Sequence, residues 1–192
     1  MTRVVLVALA LAVSGATCAA TGEPELAGLM RELATVPSAR ARFVETKQVA
    51  LLKAPLVLTG TLSYERPDHL EKHVLTPYDE RIVIAGTQVT VENNARNQTR
   101  NVSVASNPTL LALVESLRAT LAGDLVALER HFEVTLERAA SEWTIALVPR
   151  DPGTLALITR IRLTGRGNQL RHIDIEEAGG DRSNMSIQDD TR

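Results

Sequence analysis

Aromatic side chains are scarce in this chain. Phe43, Tyr64, Tyr78, Phe132 and Trp143 are all there are, 3% of 192 residues. Platforms for stacking bases or sugars are therefore few, and any large apolar site has to be aliphatic. Cysteine is scarcer still: Cys18 stands alone, which excludes an internal disulfide and a thiolate metal cluster. An excess of one charge is missing too. Lysine and arginine number 21 against 23 aspartates and glutamates, for a formal net charge of -2. A nucleic-acid binder needs a basic face, so no nucleic-acid partner is expected. What remains, 44% hydrophobic and 23% charged, is the composition of a folded globular protein.

Long apolar runs are also absent. Residues 4–13 form an unbroken apolar stretch behind Arg3, too short to span a bilayer but the right length for the core of a secretory signal. Cys18-Ala19-Ala20 places small residues at a cleavage site. Residues 1–20 are therefore expected to be a cleaved export signal, and residues 21–192 a single domain delivered to the periplasm. Lipid anchoring at Cys18 is the competing reading, and Gly15-Ala16-Thr17 before it matches a lipoprotein site poorly. With Cys18 removed, the domain has no thiol and must be held by its own core.

Periodicity supplies the elements. Leu26, Leu29, Met30 and Leu33 follow Pro24 and Glu25 at i, i+3, i+4, i+7, predicting a helix that Pro37 ends. From Ser38 the period drops to two. The clearest strand alternates Leu56, Leu58, Gly60, Leu62 and Tyr64 with Val57, Thr59, Thr61, Ser63 and Glu65, and Arg66-Pro67 closes it. Further strands are expected at residues 70–75, 81–84, 88–91 and 100–104. Asn107-Pro108 then opens a helical insert with a broad face of Leu110, Leu111, Leu113, Val114, Leu117 and Leu121, which Gly123 stops. A short helix over 124–131 follows. Strands resume at 132–137, 142–148, 155–163 and 170–176, and weakly at 184–187. Without long crossovers such strands form an antiparallel meander, and so long a sheet must curl to bury its apolar face. The leucine-rich insert is the natural cover for the concave side.

Catalytic and metal-binding patterns are missing. His69 and His73 lie in a strand-like segment, where four residues span about 13 Å, too far for one ion. Glu176-Glu177 and Asp189-Asp190 are adjacent, so in strands their side chains diverge. There is no Gly-x-Ser-x-Gly elbow, phosphate-binding loop or HExxH motif. Neither enzymatic activity nor any cofactor or metal is expected.

Three segments carry a family likeness. Ala41-Arg42-Phe43-Val44-Glu45-Thr46-Lys47 resembles the A-S-F-x-Q opening strand of LolA, the periplasmic lipoprotein carrier of Gram-negative bacteria. Gly60-Thr61-Leu62-Ser63-Tyr64-Glu65-Arg66-Pro67 is similar to its G-x-L-x-x-x-R-P, and the stretch from Thr76-Pro77-Tyr78 through Ala85-Gly86 to its Q-P-x-E-x-x-V-S-D-G. The resemblance implies a mainly β fold, an unclosed antiparallel barrel of about ten strands with a helical lid over a hydrophobic cavity. It also implies cargo of acylated lipoprotein or lipid, shuttled by a monomer toward the outer membrane from an inner-membrane donor complex to an outer-membrane acceptor. The family's arginine of the R-P pair, implicated in lid closure and ligand release, matches Arg66. Ser63, Leu70 and Lys72 depart from it, standing near positions where bulky aromatics are common.

The expected cavity wall is Leu56, Leu58, Leu62, Tyr64, Ile82, Ile84, Val89 and Val91, under a lid of Leu110, Leu111, Val114 and Leu117 with Arg66 as gate. The opposite parity, with Val57 and Val83, is the alternative wall. Two other roles compete with carriage: a periplasmic sensor of lipid or lipoprotein, and an enzyme acting on a hydrophobic substrate.

Overall fold

A computed structural model describes residues 22–106 and 108–189. The export signal, Cys18 and the Asn107 cap lie outside the described residues. The chain opens with helix α1 (Gly22–Leu33), then runs through β1 (Ser38–Gln48), β2 (Leu56–Glu65), β3 (His69–Thr76), β4 (Glu80–Ala85), β5 (Gln88–Asn93) and β6 (Gln98–Ser103). The helical insert is α2 (Pro108–Ala122) and α3 (Leu125–His131). After it come β7 (Phe132–Ala139), β8 (Glu142–Pro149), a single-turn helix α4 (Pro152–Leu155), β9 (Ile158–Arg166), β10 (Gln169–Glu177) and β11 (Arg182–Asp189).

All eleven strands join one antiparallel sheet in the order β6-β5-β4-β3-β2-β1-β11-β10-β9-β8-β7. Each half is a meander, and the seam between them is β1 against β11, with Phe43 opposite Ile187 and Glu45 opposite Met185. The free edges are β6 and β7, the two strands that flank the insert, so the sheet is unclosed. The chain leaves one edge, crosses as α2 and α3, and re-enters at the other.

Two details differ from the sequence reading. The ninth strand does not begin at Leu155, because Asp151 caps a helical turn there, its carboxylate accepting from Thr154 N at 2.7 Å. The strand read as weak, β11, is instead central to the sheet. Its outward residues are polar, and of those on the inward parity only Ser183, Met185 and Ile187 are buried, so its hydrophobic signal is thin.

The packed core fills one half of the concave side. Leu26, Leu29, Met30 and Leu33 of α1 meet Trp143, Ile145 and Leu147 of β8, Ile158, Ile161 and Leu163 of β9, Leu128 of α3 and Phe132 of β7. A small second cluster at the far edge joins Val89 and Val104 to Val114 of α2, with Ile82, Ile84, Val91, Leu110 and Leu111 around it. Gly123 ends α2 with φ +70°, and a Cβ there would lie 2.2 Å from the Met30 carbonyl oxygen. That close approach, open only to glycine, lets α2 settle against α1.

Candidate functional site

Between the two clusters the concave side is hollow. A cavity of about 660 Å³ lies under α2, within the usual range of sites that enclose a small ligand. Leu110, Leu113, Val114, Leu117 and Leu121 project into it from α2 at helical spacing. The opposite face of the helix is small or polar: Ala112, Ser116, Ala119 and Thr120 are buried there, Ala112 and Ala119 within the cluster that includes α1. One helix thus packs with its small side and roofs the hollow with its large side.

The floor comes from both halves of the sheet. Ala41 of β1, Leu62 and Tyr64 of β2, Leu70 of β3 and Ile82 and Ile84 of β4 form one wall. Ile173 and Ile175 of β10 with Met185 and Ile187 of β11 form the other. The structure settles the strand parity: Val57 is 51% exposed on the convex face, while Leu58 and Tyr64 are buried.

Of the residues expected to line the site, the structure brings together Leu62, Tyr64, Ile82, Ile84, Leu110, Val114 and Leu117. Leu56 and Leu58 share the concave face but pack into the main core, because β2 enters that core at its N-terminal half beside Phe43. Val89, Val91 and Leu111 are used up in the small cluster that closes the far edge. The wall made by β10 and β11 was not anticipated. Ile173, Ile175, Met185 and Ile187 alternate with polar residues in the sequence, the one signal that could have identified them.

Arg66 stands just past β2, at the corner where α1 and α2 end. Its Nη1 donates to the Ala34 carbonyl at 2.5 Å and its Nη2 to the Ala122 carbonyl at 2.6 Å. These carbonyls belong to the C-terminal ends of the two helices, where a cation is favoured by the helix dipole. The planar guanidinium ties both ends at once with a pre-organised fork.

The cavity wall also carries charge. Glu45 is 2% exposed and sits among Lys72, Ser183 and Lys47. The Lys72 ammonium pairs with its Oε2, the Ser183 hydroxyl donates to Oε1 at 2.6 Å, and Lys47 Nζ lies 3.5 Å from Oε1. Burial alone would raise the Glu45 carboxyl; Lys72, Ser183 and Lys47 together hold it below the usual carboxylate range. Lys72 moves down as well, because burial, with Lys47 nearby, outweighs the attraction of Glu45 and Glu80. The ammonium lies 5.0 Å from the centroid of the Phe43 ring. Gly60 leaves the space: a Cβ there would come 3.0 Å from the Phe43 ring and 1.9 Å from the His73 carbonyl oxygen.

His69 and His73 are not a metal site, and among the described residues no group of three or more His, Cys, Asp or Glu could hold one. His73 meets Asp79 at 2.8 Å instead. No described helix is long and apolar enough to cross a membrane.

A family search matches residues 19–188 to the family of outer membrane lipoprotein carrier protein LolA-like domains. The chain belongs to this LolA-like family. It is 29% identical over 154 residues to an outer-membrane lipoprotein carrier protein of Leptothrix cholodnii, covering 79% of this chain and 68% of that one. Among solved structures it is similar to the LolA superfamily protein NE2245 from Nitrosomonas europaea, with a TM-score of 0.47 and 11% identity over 88% of this chain and 93% of that one. An uncharacterised conserved protein from Thermus thermophilus gives a TM-score of 0.47 at 10% identity, over 88% of each chain. The LolA-like features here are the unclosed eleven-stranded sheet and the helical insert across its concave side.

Proposed function

We propose that this LolA-like protein is a non-enzymatic periplasmic carrier that holds an acyl chain between α2 and the sheet. The observation that supports this most is the hollow itself, which α2 lines with five aliphatic side chains. Burying one methylene of a ligand contributes about 0.8 kcal/mol, so a chain of ordinary length binds without any aromatic platform. Cargo, an acylated lipoprotein or a free lipid, would enter from an inner-membrane donor and leave at an outer-membrane acceptor. Arg66 would hold α2 against α1 while the ligand is inside, and its release would free α2 to open.

The test is transfer of a fluorescent acylated lipopeptide from donor to acceptor vesicles with the purified protein between them. Transfer that rises in proportion to protein supports the carrier. Binding without transfer would favour a periplasmic sensor. A chemically altered lipopeptide after incubation would favour an enzyme.

A further inference from the structure

Every apolar carrier must place the polar end of its ligand somewhere, and this cavity has a prepared place. Lys72 lies on β3 with its Cα opposite those of Leu62 and Ile82, two side chains of the apolar floor. An ammonium in such a setting is costly unless its protons are used. Its ammonium donates to one described acceptor, Glu45, although it carries three donors. Glu45, by contrast, is saturated by two lysines and a serine hydroxyl.

A second group on the same wall is short of an acceptor. Tyr64 is 4% exposed and lines the cavity, and its hydroxyl has no hydrogen-bond partner among the described residues. A buried phenol normally finds one. Lys72 and Tyr64 thus both leave donors unused on this wall. Burial is what pulls Lys72 downward, against the attraction of Glu45 and Glu80.

Resting on the acyl-binding reading above, we infer that the cavity is built for an amphiphile with a single apolar chain and a carboxylate head, the head meeting Lys72 and the chain running beneath α2. A carboxylate supplies two acceptor oxygens for the unused donors of Lys72 and Tyr64. A phosphate monoester brings about −1.5 to −2 and is repelled more strongly by the Glu45 and Glu80 carboxylates around Lys72. A volume of about 660 Å³ suits one chain better than the several chains of a mature lipoprotein.

The test is displacement of the neutral fluorophore N-phenyl-1-naphthylamine from the purified protein by dodecanoate, 1-dodecanol and dodecyl phosphate. Dodecanoate is expected to bind about tenfold more tightly than the alcohol, the equivalent of one hydrogen bond to a charged group, and more tightly than the phosphate. Glu45→Gln removes the competing carboxylate and should tighten dodecanoate several-fold. The double variant Glu45→Gln with Lys72→Met, which leaves no buried charge unpaired, should lose the preference and bind the alcohol as before. Equal binding of dodecanoate and alcohol by the wild type overturns the inference and leaves the acyl-binding reading standing. So does weaker dodecanoate binding in Glu45→Gln. Tighter dodecyl phosphate overturns the carboxylate assignment. Failure of all three to displace a bound fluorophore, or of the fluorophore to bind, overturns the inference and the acyl-binding reading together.

Discussion

Replacing Arg66 with leucine removes the side chain that ties the ends of α1 and α2 to β2, so it isolates the lid. The structure gives two bonds to lose, at 2.5 and 2.6 Å. A hydrogen bond to a charged group contributes about 1.5–3 kcal/mol when shielded. Arg66 is exposed, and solvent cuts each to about 0.5–1 kcal/mol, roughly 1–2 kcal/mol for the pair. That energy acts on the opening of α2 rather than on the whole fold, since the main core of α1, β8 and β9 does not involve Arg66. Opening should become roughly 5–30 times more frequent. Amide hydrogen exchange resolved by peptide is the assay. Residues 112–122 should exchange faster by that factor in Arg66→Leu while β8 and β9 keep their wild-type protection. Arg66→Lys should fall between, because a flexible ammonium lacks the pre-organised planar fork that fits both carbonyls. Uniform acceleration through every strand, or no change in α2, would refute the claim that Arg66 is a lid fastening.

Three further outcomes follow from the same geometry. Ala41→Phe puts a ring into the hollow, so stability should hold or rise by up to about 1 kcal/mol in a denaturant titration, while uptake of a fluorescent fatty acid is lost; retained uptake would place the ligand elsewhere. Gly60→Ala drives a methyl into the His73 carbonyl and should cost at least about 1–3 kcal/mol of unfolding free energy; a neutral result would contradict the close approach of β2 and β3. The Glu45 carboxyl is held below its ordinary 4.5, so its stabilising contribution is complete above that value and is lost as pH falls through the lowered one. In Glu45→Gln the melting temperature should be lower at neutral pH, with a loss of about 2–4 kcal/mol for breaking a mostly buried pair, and its fall below pH 4.5 should be shallower than in the wild type. An unchanged acid limb would mean that Glu45 is not a linked group.

How much of this was legible in the sequence varies with the element. Strand β2 matches its alternation residue for residue, since one of its faces is apolar and the other, Val57 apart, is polar. Helix α2 was legible in its Leu face and its Gly123 stop. The seam was not: a strand such as β11, with three buried residues of which one is Ser183, gives almost no hydrophobic signal. The site was half legible for a related reason. Alternation assigns Leu58, Leu62 and Val89 alike to the concave face, but only packing decides that Leu58 and Val89 touch core neighbours while Leu62 faces space. Lys72 was visible only as a departure from a family habit. Its meeting with Glu45 reaches from β3 across β2 to β1, a three-strand arrangement that no local pattern encodes.

The central claim is that the hollow beneath α2 holds an acyl chain. Native mass spectrometry of the protein isolated from the periplasm, followed by solvent extraction of what it carries, tests this most directly. The account predicts a stoichiometric acylated species, lost from Ala41→Phe. Ligand-free protein whose interior admits no fluorescent fatty acid would contradict it, and the five aliphatic side chains of α2 would then be packing residues without a guest.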